Sequence, residues 1–186
     1  MVAINPLARQ PNNLDFASPS QFRFNIIKTP NVEYFITSVN IPGIAFSGDA
    51  VLNTRYKGVP FMGDTLDFSP LEVTFLINED FSNYREIHNW MTGIGFPKTP
   101  TQFATAVTED AGLKPSNKQL TNPSTLVSDA TLTILTNKNN AVARVNFKAI
   151  YPTSLGGVQY NTQTTDTEQL SATVTFSYDL YEFEVL

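Results

Sequence analysis

A strict alternation of apolar and polar residues over positions 170–180 constrains the fold of this chain most. Successive side chains of a β-strand point to opposite faces, so the alternation indicates a strand with one face on a core. The apolar positions are Leu170, Ala172, Val174, Phe176, Tyr178 and Leu180. The apolar set then moves by one residue to Tyr181, Phe183 and Val185, which predicts a β-bulge near 179–181. We expect this strand to need backbone partners on both edges, in its own chain or in a neighbouring copy.

Other segments carry similar strand signals. Strands are predicted at residues 21–27, 32–41, 130–135 and 143–151, and one within residues 66–77, with short ones near 102–107 and 158–160. Thr29-Pro30-Asn31 and residues 137–140 have turn chemistry, which predicts that the strands flanking each of them form a β-hairpin. Residues 152–157 are expected to form a turn. Residues 46–62 contain Gly48, Gly58 and Pro60 and predict a long hairpin arm or loop.

One segment, residues 78–92, has convincing helical periodicity. Its recurring residues are Phe81, Tyr84, Ile87, His88 and Met91. Asp80 or Ser82 can cap its amino end, because a short oxygen-bearing side chain accepts from an unpaired backbone N–H, and Gly93 suits the position just past its carboxyl end. We predict a single β domain over residues 15–186, preceded by an arm at 1–14 and carrying a long loop at about 96–128.

Composition and charge exclude several classes of protein. The net charge is −5 and the pI is about 4.8, whereas a surface that grips DNA needs clustered lysine and arginine. The absence of cysteine excludes disulfides and Cys-ligated zinc. No apolar run reaches the roughly 18–20 residues of a membrane span, and we expect no signal peptide. The charged fraction of 16% leaves two interpretations, a surface hidden in an assembly or a polar β domain that is soluble alone.

No residue pattern predicts catalysis, a metal site or a cofactor. His88 is the single histidine, and it lacks the nucleophile-elbow sequence of a Ser-His-Asp hydrolase. Acidic pairs such as Glu79-Asp80 and Glu109-Asp110 are scattered in polar stretches and are typical of solvated turns. Gly93-Ile94-Gly95 and Gly156-Gly157 match neither a Walker loop nor a dinucleotide fingerprint. The residues therefore favour a structural or binding domain over an enzyme.

Four short segments stand in a characteristic order. They are Asp15-Phe16-Ala17 with Pro19 and Phe22; Ile41-Pro42-Gly43-Ile44; Leu66-Asp67-Phe68 with Asn78-Glu79-Asp80 and a helix containing Trp90; and Ile150-Tyr151-Pro152-Thr153-Ser154-Leu155-Gly156 before a polar loop and the last strand. Together, over residues 15–95 and 141–186, they resemble the tail tube proteins of contractile-tailed bacteriophages, which are related to secretion-system tube proteins. The loop at 96–128 matches nothing in this pattern.

The resemblance implies a mainly β fold, a barrel or sandwich of antiparallel sheets with one flanking α-helix. It also implies six copies that extend their sheets into a ring, and rings that stack into a tube. The implied partners are sister copies, the tail sheath, the baseplate and a tape-measure protein in the lumen, with DNA passing through without specific binding. No catalysis, cofactor or membrane anchor is implied. The implied location is the virion, after assembly in the host cytoplasm.

The resemblance also suggests which residues meet other molecules. Candidates for contacts between subunits or rings are Ile41, Pro42, Gly43, Tyr56, Lys57, Pro60 and Phe61. Candidates for the lumen are Arg23, Asn25, Glu33, Thr37, Thr173, Thr175 and Asp179. Three alternatives stay open: a tube-initiating baseplate or tube-terminating protein of the same fold, a secretion-system tube protein, and a monomeric β-sandwich that binds carbohydrate.

Overall fold

The structure, a computed structural model, describes residues 15–48, 50–53, 55–95, 97–101, 126–161 and 169–186. The strands and helices in chain order are β1 (Phe22–Ile26), α1 (Pro30–Glu33), β2 (Ile36–Val39), β3 (Ile44–Ser47), β4 (Ala50–Asn53), β5 (Gly58–Phe61), β6 (Thr65–Phe68), β7 (Leu71–Leu76), α2 (Ser82–Gly95), β8 (Ser128–Leu135), β9 (Ala141–Leu155), β10 (Ser171–Ser177) and β11 (Leu180–Val185). The expected N-terminal arm at 1–14, the strand near 102–107 and most of the loop at 96–128 lie outside the described residues.

The main sheet has seven antiparallel strands. Their order is β1-β8-β9-β10-β7-β2, and β11 also pairs with β9. β9 is 15 residues long and therefore has room for three partners. Its first half pairs with β8 and β11, and its second half pairs with β10. We call β1, β8, β9 and β11 the first half-sheet, and β9, β10, β7 and β2 the second half-sheet.

The core is formed where the apolar faces of the two half-sheets meet. Its largest fully buried side chains include Phe24, Phe75, Phe147 and Phe176, one from each of four strands. Helix α2 adds Trp90, whose ring lies 6.1 Å from that of Phe176. The predicted fold class, a mainly β barrel or sandwich with a flanking helix, is confirmed. Burial of this apolar surface is the dominant stabilising contribution in such a fold.

The predicted hairpin of residues 21–27 and 32–41 is wrong. β1 pairs with β8 and β2 pairs with β7, so the two strands lie at opposite ends of the sheet order. The segment read as a turn forms the one-turn helix α1, because Pro30 occupies the first helical turn, where its missing N–H costs nothing. Val32 on α1 is fully buried and holds the connection between β1 and β2 in place.

The strand predicted within residues 66–77 is confirmed as β7, which Ser69 and Pro70 separate from β6. Two predictions further along the chain are wrong. β9 continues through the predicted turn at 152–157 as far as Leu155, and residues 158–160 form no strand. The hairpin of β8 and β9 through residues 136–140 is confirmed, with Asn139 at a φ of 60°.

Helix α2 begins at Ser82, four residues later than predicted, and includes Gly93 instead of ending before it. The Asp80 carboxylate accepts from the Ser82 N–H at 3.2 Å, and this hydrogen bond lowers the pKa of Asp80 below its ordinary value. The predicted cap is therefore present. Asn83, fully buried, ties the helix to the sheet by donating from Nδ2 to the Leu76 carbonyl at 2.7 Å.

The terminal stretch follows β9 along its whole length. Ala172, Val174 and Phe176 are buried on the core face, as the alternation predicts. The regular strand breaks at Tyr178–Asp179, which confirms an irregularity near 179–181. β11 then pairs with β9 along one edge only, and no strand of the described residues pairs with its other edge.

Candidate assembly surface

Within residues 44–68, the strands β3, β4, β5 and β6 form a long two-stranded projection, which we call the arm. β3 pairs with β6 near the base, and β4 pairs with β5 further out. Of the two forms predicted for residues 46–62, a long hairpin arm or a loop, the structure has the hairpin arm. Gly48 lies at a φ of +77°, a conformation that favours glycine, where the chain passes from β3 to β4.

Many large apolar side chains on the arm are exposed. In the β3–β6 ladder, Ile44 lies opposite Phe68 and Phe46 lies opposite Leu66, so these four share one face. Ile44, Phe46 and Leu66 are all exposed. Further out, the exposed large apolar residues are Val51, Leu52, Tyr56, Val59, Phe61 and Met62. So many exposed large apolar side chains in one segment are typical of an interaction site.

The outer edge of β11, with which no strand of the described residues pairs, is a second candidate surface. The Leu186 N–H donates to the Val142 carbonyl at 2.9 Å, so even-numbered residues direct their backbone groups toward β9. Tyr181, Phe183 and Val185 therefore direct their N–H and C=O groups away from the sheet. Phe183 is 59% exposed and Val185 83% exposed, although both lie on the apolar face. An unblocked edge of this kind pairs readily with another chain.

The predicted contact residues fall mostly on these exposed parts. Tyr56, Lys57, Pro60 and Phe61 are exposed residues of the outer arm. Ile41 and Gly43 are exposed at its base. Pro42 differs, because it is buried inside its own chain and its carbonyl accepts from the Tyr181 hydroxyl at 3.0 Å. We therefore leave Pro42 out of the contact surface.

The predicted lumen residues are distributed over both half-sheets. On the first, the Asn25 side chain donates to Glu33 at 2.9 Å, and Arg23 Nε lies 3.9 Å from the same carboxylate. On the second, the hydroxyls of Thr74 and Thr173 are 3.1 Å apart, and Thr37 donates to the Thr74 carbonyl.

Two further lumen candidates complete the set. Thr175 follows Thr173 on the same face of β10, and Asp179 is exposed at the β10–β11 junction. The structure thus places most of the candidates on two polar faces instead of one, with Asp179 at the junction of β10 and β11.

Val51, Leu52 and Met62 were not among the contact candidates from the sequence, although they are exposed on the arm. The signal that could have found them is that neighbouring positions are both apolar, in Ala50-Val51-Leu52 and in Val59-Pro60-Phe61-Met62, since a strand packed on its own core alternates. That signal shows that a residue is apolar, but not whether anything covers it.

The described part of the chain offers little for chemistry. It contains no cluster of three potential metal ligands. His88 is exposed on α2. No helix among the described residues is long and apolar enough to cross a membrane. A groove of about 820 Å³ lies between the edge strands β1 and β2, open to solvent and lined by residues such as Phe22, Arg23 and Tyr34.

Over residues 6–184 the sequence matches the model of the phage tail tube protein family. The chain belongs to this family. Its members are tube-forming structural proteins by description, which agrees with the exposed arm and open edge described above. None of the curated protein sequences matches the chain.

Solved structures from contractile injection systems share the fold of this tail tube family member. The tube-terminating cap of the anti-feeding prophage has a TM-score of 0.58 at 11% identity and covers 98% of this chain and 100% of its own. A chain of the PVC sheath–tube complex has a TM-score of 0.54 at 10% identity, covering 91% and 92%. A chain of the PVC sheath/tube terminator has a TM-score of 0.53 at 12% identity, covering 93% and 100%. At these identities the similarity shows the fold alone.

Proposed function

We propose that this protein is the repeating subunit of the inner tail tube of a contractile-tailed phage, built from stacked hexameric rings that conduct DNA during ejection. Its role is structural and involves no catalysis. The observation that carries the proposal is the arm, whose large apolar side chains are exposed in the isolated chain of a tail tube family member. Contact with sister copies would cover them and remove this surface from water.

Sheet geometry supports a closed ring. Each half-sheet has four strands, all antiparallel to their neighbours. When copies of such a unit are related by rotation about a ring axis, the last strand of one copy lies beside the first strand of the next. Because the number of strands is even, these two edge strands run antiparallel. Six copies would supply about 24 strands, which at a spacing of about 4.8 Å give a circumference of roughly 115 Å and a diameter of roughly 36 Å. This is the diameter at the strand backbones, and the narrower channel inside it still has room for a DNA duplex.

The charge of the chain suits a conduit. A net charge of −5 disfavours tight binding of phosphates, so DNA would slide through the lumen instead of adhering to it. The two polar faces that hold Asn25 and Thr173 are both candidates for the lumen. Because the chain has no cysteine, single variants Asn25→Cys and Thr173→Cys can be compared in assembled tubes. We expect the lumen thiol to react with a small maleimide and not with a bulky one.

The direct test is assembly of the purified protein. We expect mass photometry to show rings of six copies at moderate concentration, and negative-stain electron micrographs to show tubes. A compact monomer at all concentrations would contradict the proposal and favour the glycan-binding alternative. Shifts in melting temperature with a panel of glycans would then test that alternative.

A second candidate function is a tube-initiating or tube-terminating protein, or a tube protein of a secretion or injection system. The observation that favours it is the similarity in fold to the prophage cap and the PVC terminator. A repeating subunit elongates into long tubes, whereas an initiator or terminator stops at one or two rings. Neighbouring genes for capsid and tape-measure proteins would favour a phage over an injection system.

The proposed partners follow from the tube. They are sister copies, the sheath around the tube, the baseplate beneath it and a tape-measure protein in the lumen. The proposed location is the virion, after assembly in the host cytoplasm. Co-purification of sheath and baseplate with tagged protein from phage-infected cells would test these partners, and tagged protein that recovers only itself would contradict them.

A further inference from the structure

Two tyrosines at the β10–β11 junction hold the base of the arm. The Tyr181 hydroxyl donates to the Pro42 carbonyl at 3.0 Å, just before β3. The Tyr178 hydroxyl donates to the Ser69 carbonyl at 2.7 Å, just after β6. The Ser69 N–H in turn donates to the Gly43 carbonyl at 3.0 Å. At the base of the arm, the chain before β3 and the chain after β6 therefore each have a backbone carbonyl that accepts a hydrogen bond from one of these two tyrosines.

The break in the terminal strand brings these tyrosines together. Residues three apart in a regular strand point to opposite faces. The irregularity at Tyr178–Asp179 changes this alternation, so the rings of Tyr178 and Tyr181 lie 5.9 Å apart on one side of the sheet. The irregularity thus has a structural consequence at the arm, more than 100 residues away in sequence.

Aromatic packing anchors the arm base but does not fix its direction. The ring of Phe68, the last residue of β6, lies 6.3 Å from that of Tyr178 and 5.6 Å from that of Tyr181, edge-on to both. Phe147 of the core contacts both tyrosine rings from within the sheet. Edge-on ring pairs have a weak preference for one geometry, worth about 0.5–1.5 kcal/mol, whereas hydrogen bonds lose strength steeply with angle.

We propose that Tyr178 and Tyr181 are positioning residues whose two hydrogen bonds set the direction in which the arm leaves the barrel, and through it the docking of another copy of this chain. This inference rests on the proposed function as a tube subunit. Among the large apolar side chains of residues 44–68, Phe68 is the one that packs against the core. If the base of the arm could rotate, the arm would point in its docking direction for only a fraction of the time. The apparent affinity of one copy for another would then fall by that fraction.

The test compares Tyr178→Phe/Tyr181→Phe with Tyr84→Phe as a matched control. The Tyr84 hydroxyl also donates to a backbone carbonyl, that of Gly156 at 3.3 Å, but it lies away from the arm. Hydrogen exchange at the Ser69 amide measures the arm base, and the critical concentration for tube formation measures docking. For the double variant we expect exchange at Ser69 to become about tenfold faster and the critical concentration to rise about tenfold. Neither quantity should change for the control.

Each outcome decides the inference. Unchanged exchange at Ser69 in the double variant would show that the hydroxyls do not hold the base. Faster exchange with an unchanged critical concentration would show that assembly does not depend on the arm direction. Should the double variant fail to fold, the single variant Tyr178→Phe gives the same two readings. If the unaltered protein never assembles, the proposed function fails, while the exchange measurement still tests whether the tyrosines position the arm.

Discussion

Removing exposed apolar side chains from the outer arm should weaken assembly far more than folding. Phe61 is 53% exposed and Met62 is 84% exposed. Full burial of such a side chain contributes about 1.5–3 kcal/mol, so covering the exposed parts of both contributes about 3 kcal/mol per copy. The double variant Phe61→Ser/Met62→Ser loses this contribution, which corresponds to a critical concentration roughly 100-fold higher.

The isolated chain should lose much less stability in the same variant. Phe61 already buries about half of its side chain and Met62 buries little, so folding loses roughly 1 kcal/mol, or about 2–4 °C in Tm for a domain of this size. Sedimentation of tubes gives the critical concentration, and calorimetry gives the Tm. The control Tyr160→Ser removes an exposed aromatic ring outside the arm and should leave assembly unchanged. A rise of less than about threefold in the arm variant would refute the reasoning.

Three further predictions concern the open edge, a buried amide and a phenol. Phe183→Pro removes an N–H that points away from the sheet, so we expect rings to disappear in mass photometry with little loss of Tm. Glu184→Pro should lower the Tm, because its N–H pairs with β9. Intact rings for Phe183→Pro would show that copies do not join at the edge of β11. Asn83→Ala removes a buried amide and leaves the partly buried Leu76 carbonyl without its side-chain partner, so it should lower the free energy of unfolding by about 1–3 kcal/mol in denaturant unfolding. A loss below about 0.5 kcal/mol would contradict this. Burial, followed by the charge of nearby Tyr181, raises the pKa of Tyr178 from 10.0 to about 12, so its contribution to stability is complete below pH 10 and is lost as the pH rises through 12. Absorbance titration should show one late-ionising phenol that is absent from Tyr178→Phe, and an unchanged titration would contradict the assignment.

Strands in which apolar and polar residues alternate could be predicted from sequence, because this alternation shows directly which side chains are buried. Val145 and Phe147 in β9, and Val174 and Phe176 in β10, are buried as their spacing predicts. Partners could not be predicted in the same way. Phe24 pairs with Leu132, more than 100 residues away, and nothing near β1 specifies that choice. The alternation gives the face of a residue, whereas the partner of its strand depends on the whole sheet.

The turn at residues 29–31 shows why a local signal can mislead. Proline suits both the second position of a β-turn and the first turn of a helix, so Pro30 is compatible with either. What decides between them is Val32, which is fully buried on α1 and would lie elsewhere in a tight hairpin. Burial of one side chain thus selects the helix, and this carries the chain from the first half-sheet to the second.

The arm separates the sequence requirements of folding from those of function. Leu52 and Phe61 share one face of the outer arm, and neither belongs to the buried core. The barrel is therefore packed without them, and polar residues at these positions would make the isolated chain more soluble. Their apolar character has no explanation inside one copy of the chain. Contact with other copies explains it, because these side chains are covered when the tube forms and the packing of the single chain does not depend on them.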